Sequence, residues 1–501
     1  MNWSFWLPLL ILLSSLVPGI VIFFLPQYAH RARTTLNMAA ATLKLLLVAF
    51  LIWGVFHQQH YETRLSLLPE IDLLLRADTL SVLFVALSSV LWFFTTLYAV
   101  GYLEGSPHRS RFFGFFSLCV SASVGIALAG NLMTFFIFYE MLTLSTYPLV
   151  IHRGTKEALR AGKIYLGYTL AGGVFFLVGM AWLRTLVGPL NFIQGGLLVN
   201  APPVDPQTLT IIFALLIAGV GVKAALVPLH GWLPHAMVAP APVSALLHAV
   251  AVVKAGVFGI VRIVDNVFGI EFVASLGLAT PLAWVASFTI VYGSVRALFQ
   301  DDLKRRLAYS TISQVSYIAL GAAILNPVAT IGAMSHLVHQ GLMKITLFFC
   351  AGNLAETLGI HRISEMAGVG RRMPWTMTAF TLGALGMIGV PPLAGFISKW
   401  YLGNGAVLAG DPWVLVILAL SSVLNAAYFL PILYIAWFKP QKNPWPEEVS
   451  HGRFETSWML LLPPLVTAAM VLAAGLLAHA PFSPAEWARL IAEREYHRYP
   501  L

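Results

Sequence analysis

A series of ionisable side chains stands inside long apolar runs, where a charge is hardest to keep: Glu140, Lys223, His248, Lys254, His336, His339, Lys344 and Lys399. A lysine at the centre of a bilayer costs about 2.5–3.5 kcal/mol on insertion scales, so a buried one usually has a task. The chemistry open to these groups is proton exchange. A carboxylate raises the proton affinity of a nearby ammonium, and its withdrawal lowers it. Histidine, with a pKa near 6.5, exchanges protons close to neutrality.

Glu140 lies in FFIFYEMLTLSTYPL, with no other charge in that segment. It is either a protonated acid satisfied by Tyr139, Thr143 or Ser145, or the partner of a lysine on another helix, with Lys223 the best candidate. Lys223 and Lys254 both fall in the stretch Ile217–Gly259, together with His230, His235 and His248. Pro228, Pro234, Pro240 and Pro242 interrupt this stretch. Proline breaks a helix, and broken helices at membrane depth are tolerated where the freed backbone faces protein or a wet cavity. Lys254 sits too deep in ALLHAVAVVKAGVFG for easy snorkelling. In GAMSHLVHQGLMKITLFFCAGN, His336, Gln340 and Lys344 recur at i, i+4 and i+8, one stripe of a helix, with His339 beside it. A metal site is the rival reading. The His pair is spaced i, i+3 with no carboxylate nearby, fewer ligands than zinc usually takes. Lys399 follows the second break, Pro391-Pro392, and is expected to approach the far surface.

Composition fixes what carries these residues. The chain is 58% hydrophobic and 10% charged, against roughly 25% charged in soluble domains. Its mean hydropathy is +0.80. This is an all-α polytopic membrane protein. The net charge of +9 is the usual gathering of Lys and Arg in inner loops and calls for no nucleic acid. Cys119 and Cys350 form no paired motif, and no nucleotide, haem or iron–sulfur signature is visible, so no cofactor is expected. The N-terminal apolar run lacks a basic preface and reads as a retained helix.

A span needs about 20 apolar residues, which gives about fourteen helices. They are expected near 3–25, 35–57, 78–102, 112–130, 131–151, 163–187, 208–230, 241–264, 272–299, 304–325, 328–355, 375–406, 412–438 and 456–480. The run 112–151 is divided at Gly130-Asn131. With the N-terminus outside, the inner loops hold Arg31 and Arg33, Arg109 and Arg111, Arg153 to Lys163, Arg296 to Arg306, Arg362 to Arg372, and Lys439, Lys442 and Arg453. The outer side holds only Arg64, Arg76, Arg489, Arg494 and Arg498. That alternation places both termini outside. The helices around Lys223 and Lys399 are each the fourth of a five-helix unit and each broken by proline. An odd offset between the units inverts the second, a transporter pattern. The expected organisation is 1–105, an N-terminal three-helix segment; 106–268 and 269–440, two inverted five-helix units; and 441–501, a last helix and tail.

The segments FYEMLTLSTYPLV, VKAALVPLHGWLPHAMVAPAPVSALLHAVAVVKAG, QDDLKRRLAYSTISQVSYIALG and GVPPLAGFISKWYL together resemble the antiporter-like subunits shared by respiratory complex I and the Mrp multisubunit cation/proton antiporters. The resemblance covers roughly residues 75 to 435. It implies two inverted five-helix units and a proton path whose glutamate falls on Glu140 and whose lysines fall on Lys223, Lys254, Lys344 and Lys399. Lysine at 399, where one complex I subunit has glutamate, and His339-Gln340 ahead of Lys344 favour the Mrp D type. The chain also ends at Leu501, too soon for the long lateral helix of the largest complex I relative. The implied function is proton translocation in a sodium/proton antiporter of a prokaryotic inner membrane, with other membrane subunits, protons and sodium as partners. The alternatives are a proton-pumping arm of a quinone oxidoreductase or hydrogenase, and a subunit of an inorganic-carbon uptake complex.

Overall fold

The computed structural model describes residues 3–69, 71–103, 105–441, 444–449 and 454–496. Lys442, Arg453 and Arg498 of the loop-charge reading lie outside the described residues. The first helices are α1 (Trp3–Phe24), α2 (His30–Phe56), α3 (Thr79–Tyr102), α4 (Arg109–Ala127), α5 (Leu132–Val150), α6 (Lys156–Val187) and α7 (Pro206–Lys223). Then come α8 (Ala241–Phe268), α9 (Ala279–Leu298), α10 (Leu303–Ala323) and α11 (Pro327–Leu358). The chain ends with α12 (Pro374–Ile388), α13 (Ala394–Leu408), α14 (Trp413–Phe438), α15 (Trp458–Leu476) and α16 (Pro484–Glu495). Among the described residues, eleven helices are long and apolar enough to cross a membrane. The expected count of about fourteen is therefore not reached by that measure. Neither α10 nor α11 is among the eleven, and α12 and α13 are fifteen residues each, too short to qualify separately.

Local chemistry sets the boundaries. Asn131 caps α5, its side chain accepting from Thr134 N at 2.7 Å, which is why the long run divides at Gly130-Asn131. Asp205 caps α7 at Thr208 N with Pro206 in the first turn, and Asn326 with Pro327 does the same for α11. The expected helix over 208–230 ends early, at Lys223. The expected span 272–299 is two pieces, Ile270–Ser275 and α9. The loop between α2 and α3 holds an antiparallel hairpin, β1 (Tyr61–Leu68) with β2 (Ile71–Ala77), pairing Tyr61 with Ala77 and Thr63 with Leu75. Its strand β2 docks on the α4–α5 turn, where Gly130 N donates to Leu74 O and Arg76 N to Leu128 O.

The charged motif before α10 is a staple. Asp302 caps α10 at Arg305 N, and Asp301 accepts from Ser364. Lys304 reaches Ala239 O at 2.6 Å, and Arg306 donates to Gln300 O and Tyr428 O. One short segment thereby fixes the α9–α10 turn, the approach to α8 and α14. The interrupted elements stand in matching places: α7 packs against α6, and α13 against α11. The core is α8, wholly buried, with α10 and α11 against it.

Candidate functional site

Lys223 is the last residue of α7, and the backbone then breaks. Ala225 has φ 56°, a left-handed conformation unusual for a residue with a Cβ, and such strain gathers at functional sites. The freed backbone is satisfied locally. Trp232 Nε1 donates to Val222 O at 2.7 Å, and Val227 N donates to Thr289 Oγ1 at 3.1 Å. The Lys223 ammonium donates to Tyr139 O and lies 3.1 Å from the centroid of the Tyr139 ring. Tyr139 is held in turn by its hydroxyl, which donates to Gly219 O at 2.7 Å.

Glu140 is the next residue on α5. The expected direct pair with Lys223 is not formed: among the described residues no ion pair within 4.0 Å joins them. The two are within electrostatic reach, with Tyr139 taking the ammonium. Glu140 Oε1 is buried without a hydrogen-bond partner, against Gly173 of α6. A side chain at Gly173 would overlap that oxygen.

The helix carrying His248 and Lys254 is not regular. Residues Leu246–Val250 form a wide turn, Ala251 N donating to Leu246 O, and Ala251 sits at φ −126°, ψ −74°. Such turns inside α-helices are frequent at functional sites. His248 occupies this turn, stacked on Phe348 at 4.5 Å, with neither ring nitrogen hydrogen-bonded. One turn on, Lys254 donates to Leu337 O of α11 at 2.6 Å. Gly256 lets α8 touch the break: a Cβ there would overlap the Ala224 backbone nitrogen. The turn of α8 that carries Lys254 and Gly256 is thereby held between the end of α7 and α11.

On α11, His336 Nδ1 meets Ser398 Oγ at 2.8 Å, and the ring lies within electrostatic range of both Lys254 and Lys399. His339 faces the backbone of Ala394 at the start of α13, with neither ring nitrogen in a well-formed hydrogen bond. Lys344 donates to Leu307 O at 3.0 Å and Ser310 Oγ at 2.7 Å, and Ser310 also receives the Tyr428 hydroxyl at 2.9 Å. Lys399 is half-buried. It turns back to the end of α12, donating to Met387 O and Ile388 O at 3.0 and 2.9 Å and to Ser422 Oγ at 3.1 Å. A cation at those orphan carbonyls also complements the helix dipole. His230 and His235 stay apart from this line: His235 Nδ1 meets its own Gly231 O, and His230 packs on Tyr292.

Glu140 is within electrostatic reach of Lys223, His248 of Lys344, and Lys254 of His336, His339 and Lys344, and none of these groups is hydrogen-bonded to another. Buried atoms without a hydrogen-bond partner recur along these groups: Glu140 Oε1, both nitrogens of His248 and the amide of Gln340. Buried polar groups are nearly always satisfied, and ordered water is the common partner when protein is not. Gln314 of α10 and Ser310 were not singled out from the sequence, although both fall on one face of that helix. Lys44 of α2, fully buried, was also passed over; a single cation in AAATLKLLLVAF was the available signal.

The fold and this line of buried ionisable groups define a polytopic ion-translocating membrane protein. Residues 129–425 match the family described as NADH:quinone oxidoreductase/Mrp antiporter, TM, and residues 69–113 match the complex I chain 5 N-terminus. The chain belongs to this family. It is 38% identical over 392 residues to NADH-quinone oxidoreductase subunit N of Desulforudis audaxviator, covering 76% of this chain and 77% of that protein. It is 27% identical over 472 residues to the D subunit of the Na(+)/H(+) antiporter of Alkalihalophilus pseudofirmus, covering 92% and 93%. The fold is similar to a chain of the Mrp complex from Dietzia sp. DQ12-45-1b, with a TM-score of 0.86, 22% identity, and coverage of 99% and 98%. The chain is a proton-translocating membrane protein of the antiporter and complex I type.

Proposed function

We propose that this chain conducts protons in a multisubunit sodium/proton antiporter of a prokaryotic cytoplasmic membrane. Protons pass along Glu140, Lys223, Lys254 with His248, Lys344 with His336 and His339, and Lys399, water bridging the gaps. The observation that carries the path is the recurrence of unpartnered buried polar atoms at those groups, Glu140 Oε1 and both His248 nitrogens among them. Each lysine rests on a backbone carbonyl or an aromatic ring rather than on a carboxylate. A lysine held this way is a proton site whose charge state follows its neighbours, not a permanent ion pair. The antiporter assignment is supported by the match to the Alkalihalophilus antiporter protein, which runs nearly end to end in both chains. The face bearing the basic loops is cytoplasmic on this reading, with both termini opposite.

A second reading, the membrane arm of a redox enzyme, is favoured by the higher identity to the Desulforudis quinone oxidoreductase protein. The same residues would carry the protons, with electron transfer in other subunits as the drive. The assembled complex in sealed vesicles separates the two. Under the antiporter reading a sodium pulse alone drives proton movement. Movement that needs an electron donor and quinone, and ignores sodium, overturns that reading.

A further inference from the structure

The N-terminal helices hold a second polar line that the path above does not use. Lys44 is 0% exposed, about fourteen residues into the 27-residue α2, so it sits near the middle of the span. No carboxylate faces it: α1 has no ionisable side chain, α3 only Tyr98 and Tyr102, and α4 only Arg109, Arg111 and Cys119. Its ammonium donates to Ser15 Oγ of α1 at 2.5 Å, and Ser15 meets Ser121 Oγ of α4 at 2.7 Å. The Trp92 ring of α3 lies 5.0 Å away. An uncompensated lysine in this position is expensive, and the alternative of an apolar packing residue would be cheaper.

The line continues in both directions. Towards the basic face, α2 presents Arg33, Asn37 and Lys44 on one side, and α4 presents Ser110, Ser117 and Ser121 at the mirrored spacing. Arg33 donates to Ser110 Oγ at 2.7 Å at the mouth. Between mouth and lysine, the Asn37 amide nitrogen and the Ser117 hydroxyl are buried without partners, at 2% and 1% exposure. Those orphaned groups mark places for water. Towards the core, Ser88 stands one turn before Trp92 on α3. Its hydroxyl and that of Ser123 of α4 both donate to Val250 O, at 3.1 and 3.4 Å. Val250 closes the wide turn that holds His248. The Ser88–Ser123 pair thus ends on the break in α8, and the step from Ser121 to Ser123, two residues on along α4, is one for water to bridge.

We propose that Lys44 is a further proton-binding residue, filled from the basic face along the Arg33–Asn37 and Ser110–Ser117–Ser121 stripes and exchanging with the His248 turn through Ser88 and Ser123. This rests on the proton-translocation reading. A proton enters by water at Asn37 and Ser117 and binds Lys44 Nζ. It leaves through water that bridges Ser121 to Ser88 and Ser123 and passes to one of the His248 ring nitrogens, both of which lack a partner, Lys44 returning to the free amine.

The test uses the assembled complex in vesicles, with Glu140→Gln run beside it. Lys44→Met is expected to lower proton flux at least tenfold, and Lys44→His to restore it with the rate–pH profile moved to lower pH. In a Cys119→Ala, Cys350→Ala background, Ser117→Cys is expected to react with a small charged thiol reagent added at the basic face, while Val120→Cys is not. Normal flux in Lys44→Met while Glu140→Gln is inactive overturns the Lys44 proposal and leaves the main path standing. Loss in Lys44→Met with no rescue by histidine and no labelling at Ser117→Cys makes Lys44 a packing residue and also overturns it. Normal flux in Glu140→Gln overturns the main path instead.

Discussion

The contact between Lys223 and the Tyr139 ring can be separated from the rest of the site by one pair of substitutions. The ammonium lies 3.1 Å from the ring centroid, in a pocket closed to solvent, with no carboxylate in contact. A desolvated cation over an aromatic face is worth about 2 kcal/mol. At about 1.4 kcal/mol per tenfold, its loss shifts the balance between charged and neutral lysine by about 30-fold. Tyr139→Leu removes the ring; Tyr139→Phe keeps it and removes only the hydroxyl bond to Gly219 O, worth about 0.5–1.5 kcal/mol. If charging of Lys223 is on the path, Tyr139→Leu lowers proton flux by ten- to thirtyfold, and Tyr139→Phe lowers it by only a few-fold. The assay is proton movement in vesicles, followed with a pH-sensitive dye, at matched levels of assembled complex. Equal flux in the two variants would refute the reasoning, because the ring would then contribute nothing that the hydroxyl does not.

Other outcomes follow from the same geometry. Gly256→Ala places a Cβ on the Ala224 backbone, and overpacking of this kind costs about 1–3 kcal/mol, so the purified protein melts at a lower temperature than the wild type. Ser310→Ala takes one of two hydrogen-bond acceptors from Lys344 and one of two from Tyr428; flux falls about tenfold, and the melting temperature falls as well, because buried donors lose a partner. Glu495, on the C-terminal helix α16, has its carboxyl pushed up to about 7 by burial and by the nearby Asp78 charge. The folded chain therefore holds this proton more tightly than the unfolded chain, and stability falls as pH rises from the ordinary carboxylate range to about 7. Glu495→Gln flattens that slope, which melting curves between pH 5 and 8 measure directly.

Much of the scaffold was legible because membrane helices announce themselves by apolar length and their ends by capping residues. Gly130-Asn131 marks a division that the structure keeps, while Asp205-Pro206 and Asn326-Pro327, which start two further helices, are capping signals the sequence also carried and that apolar length alone did not use. The line of Glu140, Lys223, Lys254, His336, Lys344 and Lys399 was legible for a related reason: a lone charge in an apolar run has few innocent explanations. Partners were harder. Nothing in the spacing says that Lys223 rests on Tyr139 rather than on Glu140, because that choice is made between helices. The direction taken by Lys399 was also hidden, since it depends on where the carbonyls of the interrupted helix end up. The wide turn at His248 changes the helical repeat over a single turn, too briefly to alter an apolar pattern. The hairpin Tyr61–Ala77 was missed between two stronger helix signals, and its register is set by docking on the α4–α5 turn. Lys44 carried the same signal as the other lysines and was visible in the sequence. Its serine neighbours on α1 and α4 were not readable as a set until the helices were placed together.

The central claim is that protons cross on Glu140 and Lys223 as a coupled pair of sites. Glu140→Gln and Lys223→Ala, made separately in the assembled complex and reconstituted in sealed vesicles, test it through cation-driven proton movement. Each substitution alone is expected to abolish that movement while the complex still assembles. Wild-type movement in both variants would contradict it.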